Sequence, residues 1–242
     1  MKALILAAGM ASRLRPLTDN CPKCLLKVGG RTLLERTVDN IMAAGISRLV
    51  VVTGYCEEMI RTFLTDKYPQ LDIKFIYNKD YTTTNNIYSL WLAREEVAGK
   101  EFLLLDSDIL FDGEIIKRLF AAAGSTLALN SHKLGEEEIK VILDENKLVK
   151  EISKTCSIES AVGESVGIEK MTAEYSEALF KELETMIEGE GQDNVFYEKA
   201  FERLIPKGYR FGVTDISDLF SMELDTVEDF DGAKKLLLKE ME

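Results

Sequence analysis

The feature that most restricts the fold of this chain is a regular alternation, in its first half, between short apolar runs and longer amphipathic segments. Continuous apolar runs are typical of buried strands, and apolar residues that recur every three or four positions are typical of helices. Strands are predicted at residues 2–7, 48–54, 71–78 and 101–108, and helices at about 32–44, 56–67, 86–97 and 113–124. Strands and helices that alternate in this way form parallel sheets covered by helices. The sequence therefore predicts an α/β fold with a Rossmann-like, doubly wound, mostly parallel sheet and helices on both faces.

The second half of the chain has a different rhythm. Several short strand-like runs between residues 125 and 170 are separated by turn residues, which favours a mixed or antiparallel elaboration of the sheet. Two further helices are predicted at about 173–187 and 194–204, then a strand at 209–216 and a last helix at 227–241. With 242 residues, 46% of them hydrophobic, and no linker or repeat, the chain 1–242 is expected to form a single domain.

Positive charge is concentrated at the N-terminus of an otherwise acidic chain. The net charge is −12 and the isoelectric point about 4.8, yet residues 1–36 carry +5, so the remainder carries −17. An acidic protein is a poor partner for nucleic acids and anionic membranes, and we expect neither as a partner. A local basic site can still bind phosphate groups. The only histidine is His132, which excludes a metal site with two histidine ligands and disfavours a histidine-dependent triad.

The start of the chain and its cysteines indicate a cytoplasmic protein. The first apolar run is too short for a membrane span and lacks the pattern of a signal peptide. Cys21 and Cys24 enclose Pro22 and Lys23, a spacing found in zinc sites and redox pairs, but no second pair follows at zinc-finger spacing. Two ordinary, partly buried and reduced thiols are the simpler interpretation.

The loop after the first strand suits a phosphate-rich ligand. In open α/β sheets, ligands bind beyond the carboxyl ends of the strands. Ala7, Ala8 and Gly9 have small side chains, so a base or a phosphate can approach the backbone closely. Arg13 and Lys23 add a planar guanidinium and a mobile ammonium, two forms of charge that bind polyphosphate. Neither the Gly-x-Gly-x-x-Gly pattern nor the P-loop pattern is present.

Residues 1–30 resemble the signature of nucleotidyltransferases that join a nucleoside triphosphate to a phosphorylated small molecule, as the sugar-nucleotide pyrophosphorylases do. That signature reads roughly Leu-Ala-Ala-Gly-x-Gly-x-Arg-Leu-x-Pro-Leu-Thr-x-x-x-Pro-Lys-x-Leu. The matching residues are Leu6, Ala7, Ala8, Gly9, Arg13, Leu14, Pro16, Leu17, Thr18, Pro22, Lys23 and Leu25. Ala11 departs from it, because the family usually has glycine there. Since alanine tolerates positive φ poorly, the loop either takes another path or carries about 1 kcal/mol of strain.

The resemblance implies roles for the two cations of this loop. Arg13 would stabilise the pyrophosphate that leaves, and Lys23 would bridge the α-phosphate and the incoming anion. Lys23 is then the functional residue of the segment "CPKC", and the two cysteines beside it occupy positions that the family leaves variable.

Two acidic segments are candidates for a metal site. Asp106 and Asp108 end the apolar run "FLLLDSD", where alternation is expected to place both carboxylates on the same side. Solvated turn carboxylates would also explain this pair. The resemblance implies that Asp108 and Asp225, the latter in "SMELDTVEDF", hold Mg²⁺. The alternative for Asp225-Thr226 is a helix N-cap with Asp229 in the first turn, and the two roles can coexist.

The segment "TTTNNIYSLWLAREE" (82–96) resembles the Asn-Asn-x-Tyr-Ser-Leu-x-Leu segment of bacterial cytidylyltransferases that activate phosphocholine or 2-aminoethylphosphonate. Asn85, Asn86 and Ser89 offer the mixed donors and acceptors that the edge of cytosine requires. A plain helix N-cap would also explain Asn85-Asn86. The predicted nucleotide-binding residues are Leu6, Ala7, Ala8, Gly9, Asn85, Asn86, Ser89 and Asp106.

Residues 191–204 align loosely with a region that, in the choline-phosphate enzymes, surrounds a cationic head group with acidic and aromatic residues. Ion pairing and cation–π contact would then hold an ammonium. Lys154, after the predicted strand "VKEIS", is a candidate for binding the acceptor phosphate by resemblance to a lysine of the sugar-nucleotide enzymes. The predicted acceptor-binding residues are Lys154, Glu164, Asp193, Tyr197 and Glu198. A solvated amphipathic helix would show much the same pattern.

The resemblance as a whole implies a Mg²⁺-dependent cytidylyltransferase that transfers CMP from CTP to a small phosphorylated or phosphonylated amine. Residues 1–124 would form its nucleotide-binding half and residues 125–242 its acceptor-binding half, and a homodimer is compatible with this function. One alternative is a sugar-1-phosphate nucleotidyltransferase that uses UTP, dTTP or GTP, whose base readout would ignore cytosine. Another is a metal-dependent glycosyltransferase of GT-A type, which shares the fold but needs neither Arg13 nor Lys23 in this loop.

Overall fold

A computed structural model describes residues 1–239 of the chain. The strands are β1 (Lys2–Ala7), β2 (Lys27–Val28), β3 (Arg31–Thr32), β4 (Arg48–Thr53), β5 (Asp72–Tyr77), β6 (Phe102–Asp106), β7 (Ile109–Phe111), β8 (Thr126–Asn130), β9 (Lys140–Leu143), β10 (Val149–Ser153), β11 (Gly163–Met171), β12 (Gly212–Asp215) and β13 (Ser221–Glu223). The α-helices are α1 (Leu33–Ala43), α2 (Glu57–Lys67), α3 (Asn86–Leu92), α4 (Arg94–Val97), α5 (Glu114–Ala121), α6 (Ala173–Glu184), α7 (Glu198–Leu204) and α8 (Val227–Lys239).

Nine strands form one mixed sheet, which confirms the predicted fold class. Its main path runs β10-β9-β11-β6-β1-β4-β5, and β8 pairs with both β11 and β12. Strands β6, β1, β4 and β5 are parallel, whereas β11 pairs antiparallel with β6 and with β8 and β9. The parallel part comes from the first half of the chain, and the antiparallel elaboration comes from the second half.

Helices cover both faces of the sheet because side chains of the central strands alternate between two cores. Leu4 and Leu6 of β1 face the core that includes side chains of α3, α6 and α7. Ala3 and Ile5 face the opposite core, which is built with α1, α2 and α5. Apolar side chains fill both cores, and ligands of such sheets bind beyond the carboxyl ends of the strands. Within residues 1–239, no helix combines the length and the apolar character needed to cross a lipid bilayer.

Two predicted helices have different bounds in the structure. The helix predicted at 86–97 is two short helices, because the chain turns at Ala93, which is both the C-cap of α3 and the N-cap of α4. The helix predicted at 194–204 begins only at Glu198. Backbone contacts to the start of α3 hold the preceding residues: Asn85 N donates to Asp193 O at 3.0 Å and Tyr197 N donates to Asn86 Oδ1 at 2.9 Å.

The ends of two other elements also differ. The strand predicted at 101–108 ends at Asp106, where the chain enters a tight turn to β7. The α-helical part of the segment predicted at 173–187 ends at Glu184 and continues as a π-helical turn, Thr185–Gly189. Residues 240 and 241 of the predicted last helix lie outside the described residues.

Candidate active site

Lys23 lies at the centre of a cluster of ion pairs beyond the carboxyl end of the sheet. A 3-10 turn, Lys23–Leu25, follows Pro22 and carries the lysine inward, so that only 8% of its surface is exposed. Its Nζ donates to Asp108 Oδ2 at 3.0 Å and to Asp225 Oδ1. Residues from the start, the middle and the end of the described chain therefore meet at one ammonium.

Arg13 approaches the same cluster from the solvent side. Its Nη2 donates to Asp225 Oδ2 at 2.8 Å, while most of its side chain is exposed. A buried ammonium and an exposed guanidinium thus flank one carboxylate. Both cations that the sequence predicts for the phosphate loop are brought together, and each faces a carboxylate predicted to hold a metal.

Strand β13 adds a third carboxylate, Glu223, which the sequence analysis missed. β13 pairs antiparallel with β7 and places Glu223 opposite Ile109, and Leu224 N donates to Asp108 O at 3.0 Å. Carboxylate oxygens of Asp108, Glu223 and Asp225 lie within 4.8 Å of one another. Glu223 alternates with Asp225 in "SMELD", and that spacing is the signal that could have identified it.

A helix cap leaves Asp225 available for the site. Thr226 caps α8: its Oγ1 accepts from Asp229 N at 3.2 Å, and Asp229 Oδ2 accepts from Thr226 N at 2.7 Å. Asp225 N also donates to Asp229 Oδ2, at 3.0 Å. The side chain of Asp225 takes no part in this cap, because it faces Lys23 and Arg13. The N-cap by Thr226 therefore leaves the Asp225 carboxylate available for the predicted role.

Charge and burial shift the pKa values of the cluster in opposite directions. Burial alone would lower the pKa of Lys23, but the carboxylates of Asp108 and Asp225 outweigh it and raise that pKa. Burial would raise the pKa of Asp225, but Lys23 and then Arg13 lower it below its ordinary value. Burial, with repulsion from Asp108 and Asp225, raises the pKa of Glu223 to about 8 against the pull of Lys23. The cluster thus favours an additional positive charge next to Glu223.

The donor set of the three carboxylates fits a hard divalent cation. Mg²⁺ prefers carboxylate oxygens and is commonly bound through one or two of them, with phosphate oxygens and waters completing the shell. Among the described residues, this is the one group of three histidine, cysteine or acidic side chains that lie close enough to share an ion. All four cysteines are free thiols, and Cys24 is buried in the core, which agrees with the simpler interpretation of the "CPKC" segment.

Asp106 and Asp108 make different contacts, although they lie close enough for the Asp108 carboxylate, after burial, to raise the pKa of Asp106. The expectation that both carboxylates face the same side stays a prediction. The strand ends at Asp106 and the turn that follows reorients Asp108 towards Lys23. Asp106 Oδ2 instead accepts a hydrogen bond from the Tyr197 hydroxyl at 3.0 Å. Strand alternation predicts side-chain directions only while the strand continues.

The small residues after β1 lie where the backbone of the sheet edge is tightly packed. Leu6, Ala7 and Ala8 are buried and Gly9 is exposed. Ala8 O accepts from Tyr55 N at 3.0 Å, and a Cβ on Gly54 would lie 2.6 Å from Ala8 O. Glycine is therefore required at position 54 for the two loops to meet.

Ala11 has a left-handed backbone conformation, with φ 46° and ψ 53°. Its carbonyl accepts from Leu14 N at 3.0 Å and from Thr18 Oγ1 at 2.9 Å, which fixes the turn that carries Arg13. Of the two expectations for Ala11, strain therefore applies, since the residue sits in the region that glycine favours.

We expect Ala11→Gly to raise the free energy of unfolding by about 1 kcal/mol, since glycine loses the steric penalty of this backbone conformation. For a domain of this size the melting temperature would rise by about 2–4 °C, measured by calorimetry. Ala122→Gly is the matched control, because Ala122 has φ −72° and should gain nothing from glycine. Equal or lower stability of the Ala11 variant would show that the turn carries no such strain.

The three residues predicted to read the base are engaged at the start of α3. The Asn85 side chain accepts from Asn86 N as a helix cap, and Asn86 Oδ1 accepts from Tyr197 N. Ser89 is 3% exposed, and its Oγ accepts from Asn78 Nδ2 at 3.1 Å. Ser89 is therefore buried beneath the start of α3, whereas Asn85 and Asn86 lie at its edge.

The residues predicted to bind the acceptor fall into two groups. Lys154 Nζ lies 4.9 Å from the centre of the exposed Phe196 ring and 3.4 Å from Glu137 Oε2, and its charge reaches both Glu198 and Asp225. Asp193 is half-buried beside α3. Glu164 stands apart from them, bound through Oε1 to Nε2 of His132 at 2.7 Å.

Tyr197 and Glu198 lie deeper than the sequence predicts. The ring of Tyr197 is fully buried against Phe201, so the predicted contact of its ring face with a ligand does not fit, and its hydroxyl is the part that reaches a functional group. Glu198 is 5% exposed, and Glu169 of β11 is fully buried nearby. We refer to Asp106, Glu169 and Glu198 as the buried acidic cluster.

Known proteins with similar sequences point to one family. The MobA-like NTP transferase domain matches residues 3–203. The chain is 28% identical over 241 residues to the CMP-5'-(3-aminopropyl)phosphonate synthase of Streptomyces rubellomurinus, a match that covers 95% of this chain and 37% of that protein. It is 32% identical over 121 residues to the UTP–glucose-1-phosphate uridylyltransferase of Haloferax volcanii, covering 49% of each. The chain thus spans about half or less of the length of these curated relatives.

A solved structure extends the likeness to both halves of the fold. The CTP:phosphocholine cytidylyltransferase of Streptococcus pneumoniae superposes on this chain with a TM-score of 0.81 and 25% sequence identity, over 98% of each chain. The antiparallel elaboration of the second half therefore has a counterpart in that protein, as does the parallel sheet.

Proposed function

Because the chain belongs to the family of the MobA-like NTP transferase domain, we propose that it is a cytidylyltransferase that transfers CMP from CTP to a small phosphorylated or phosphonylated amine. The observation that carries the proposal is the buried ammonium of Lys23, set among three carboxylates and next to Arg13. This arrangement fits a triphosphate and a second anion, which must be held close together despite their mutual repulsion.

In the proposed reaction an oxygen of the acceptor attacks the α-phosphorus of CTP in line. The bond from the α-phosphorus to the bridging oxygen breaks, and pyrophosphate leaves with the electron pair of that bond. Lys23 holds the α-phosphate and the incoming oxygen on one ammonium, and Arg13 neutralises the pyrophosphate at the solvent side. The acceptor is already an anion near neutral pH, so the step requires no general base.

Asp108, Glu223 and Asp225 are the residues that would hold Mg²⁺. When bound, the ion supplies charge neutralisation for the phosphate oxygens and orients them. The ammonium of Lys23 contacts two of these carboxylates, Asp108 and Asp225, which supports a role for it next to the ion.

The base and the acceptor are assigned to the two sides of this centre. Leu6, Ala7, Ala8 and Gly9 would contact the nucleotide through the backbone, and the base would lie at Asn85 and Asn86, with Ser89 beneath them. On the other side, Lys154 would bind the phosphate or phosphonate of the acceptor. The charge of Lys154 helps to lower the pKa values of both Asp225 and Glu198, which supports a position between the reacting centre and the amine site.

The test is a substrate panel followed by pyrophosphate release. The purified protein is incubated with Mg²⁺, each of the four NTPs or dTTP, and 2-aminoethylphosphonate, phosphocholine or glucose 1-phosphate. Release with CTP and an aminoalkyl acceptor is the expected result. Release with UTP, dTTP or GTP and the sugar phosphate alone would favour the second candidate, a sugar-1-phosphate nucleotidyltransferase, as in the relative from Haloferax volcanii.

The acceptor KM should fall as the pH rises from 6 to 8. Burial raises the pKa of Glu198 to about 7, partly offset by its own backbone N–H and by Lys154. With this pKa, about one tenth of the Glu198 carboxyl groups are ionised at pH 6 and about nine tenths at pH 8. The neutral form has lost its attraction for an ammonium. We therefore expect an acceptor KM about tenfold lower at pH 8 than at pH 6.

Steady-state kinetics of the wild type and of Glu198→Gln check this dependence. The variant keeps the shape of the side chain but cannot ionise. Its acceptor KM should therefore change with pH only through the ionisation of the acceptor itself. Identical profiles for the two proteins, or a KM that rises with pH, would contradict the assignment of Glu198.

A further inference from the structure

The buried acidic cluster brings the half-buried Asp106 together with the buried Glu169 and Glu198. Among the described residues, none of its three carboxylates forms an ion pair with a lysine or an arginine within 4.0 Å. Ordinary buried carboxylates are paired or hydrogen-bonded, because an isolated charge in a protein interior is costly. The cluster lies beside the proposed reaction centre, since Asp106 ends the strand that leads to Asp108.

Two carboxylate oxygens of the cluster lack a hydrogen-bond donor. Glu169 Oε1 accepts from Ser165 Oγ at 3.2 Å, but Glu169 Oε2 and Glu198 Oε2 are buried and have no partner among the described residues. The Tyr175 hydroxyl, whose pKa is raised by burial and then by Glu169, is also buried and has no hydrogen-bond partner among the described residues. A buried polar group without a partner is destabilising, so such groups in a native protein call for a ligand or for water.

The backbone of β11 makes room for this cluster. Gly167 has φ +70°, and a Cβ there would lie 2.7 Å from Asp106 Oδ2. The carboxylate of Asp106 therefore packs directly on the strand that carries Glu169.

We propose that the buried acidic cluster binds the ammonium of the acceptor and selects one that carries N–H groups, with Glu169 as a specificity-determining residue. The inference rests on the proposed function, because it concerns the acceptor of that reaction. A protonated primary amine has three N–H donors and can satisfy the orphaned oxygens of Glu169 and Glu198. A trimethylammonium group has none and would leave these oxygens without a donor.

The aromatic residues nearby support the same choice. Proteins hold quaternary ammonium groups against exposed aromatic faces. The ring of Tyr197 is packed against Phe201, with the ring centres 5.3 Å apart, and the exposed ring of Phe196 lies under the ammonium of Lys154. The site thus offers hydrogen-bond acceptors rather than ring faces.

A matched pair of acceptors tests the inference directly. 2-Aminoethylphosphonate and its N-trimethylated counterpart, 2-(trimethylammonio)ethylphosphonate, have the same anion and the same chain length, and differ in their N–H groups. With CTP and Mg²⁺, we expect kcat/KM for the primary amine to exceed that for the trimethylated compound by at least about 100-fold, since buried polar groups reject analogues that leave them unpaired. Equal use of both, or preference for the trimethylated acceptor, would overturn the inference.

Glu169→Gln identifies the residue responsible. The variant has the same shape and removes a buried charge, so it should fold. Its KM for 2-aminoethylphosphonate should rise at least about tenfold while its KM for CTP stays unchanged, and the preference for the primary amine should shrink. Glu151→Gln, a surface change on β10, is the matched control. An unchanged KM for the amine together with a changed melting temperature would assign Glu169 a structural role and overturn the proposal.

Failure of the inference can be told from failure of the proposed function. Pyrophosphate release with CTP and the trimethylated acceptor alone would leave the cytidylyltransferase in place and remove the selection of N–H groups. Release with another NTP and a sugar phosphate alone would remove both.

Discussion

Replacing Lys23 with alanine is expected to lower turnover at least about 100-fold, the loss typical of one preorganised charge donor at a reaction centre. The physical reason is that the Lys23 ammonium is buried and oriented by Asp108 and Asp225, so no solvent cation can take over its position. The measurement is pyrophosphate release at saturating CTP and acceptor. Circular dichroism of the variant shows whether it is folded, because the change also leaves carboxylates without their counterion.

Lys27→Ala is the matched control for this prediction. Lys27 lies in the same basic N-terminal segment, on β2, but its side chain is exposed. A non-specific effect of positive charge on CTP binding would weaken both variants similarly. If Lys23→Ala were folded and retained near-normal turnover, Lys23 would have no part in the mechanism.

Asp225→Asn should lower kcat/KM by at least about 100-fold, comparable with the loss of a key electrostatic group. The side chain meets Lys23 on one oxygen and Arg13 on the other, so one substitution weakens the orientation of both cations and removes a proposed ligand of Mg²⁺. Asparagine keeps the shape of the residue and leaves the cap of α8 by Thr226 intact. Activity measured over a series of Mg²⁺ concentrations should also show half-saturation at a higher concentration.

Two further variants show whether the effect of Asp225→Asn is specific to the site. Asp231→Asn changes an exposed carboxylate of the same helix, paired only with Lys234 at the surface, and should leave activity and Mg²⁺ dependence unchanged. Glu223→Gln removes one of the three clustered carboxylates but leaves the ion pairs of Lys23 intact. It should act mainly on the Mg²⁺ dependence of the activity. Normal activity of Asp225→Asn at low Mg²⁺ would exclude Asp225 from the site.

The sequence could predict the parts of the site that a contiguous motif carries. Arg13 and Lys23 belong to one loop after one strand, and Asp108 and Asp225 lie in segments that resemble those of the same family, so the resemblance was enough to select them. The structure brings these four together, although what each one does there stays a proposal. The fold class was also accessible, because the alternation of apolar strands and amphipathic helices extends over more than a hundred residues.

The residues that the sequence missed depend on pairing between distant segments. Glu223 lies near Asp108 because β13 pairs with β7. The spacing of Glu223 and Asp225 can be read from the sequence, but the pairing of these two strands cannot. Glu169 is followed by Lys170 in β11, a charged pair that resembles the exposed part of a strand, yet both side chains are buried. Strand bounds were a further source of error, because the strand predicted to reach residue 108 ends at Asp106.

The ion pair between Lys23 and Asp225 spans 202 positions of the chain, and this separation has a consequence for biosynthesis. A nascent polypeptide that has emerged from the ribosome only as far as β12 already possesses the phosphate loop and Asp108, but neither Glu223 nor Asp225. Contacts of such long range form late, since the entropy of closing the intervening loop must be overcome first. The proposed site is therefore incomplete in every chain whose synthesis has not passed residue 225.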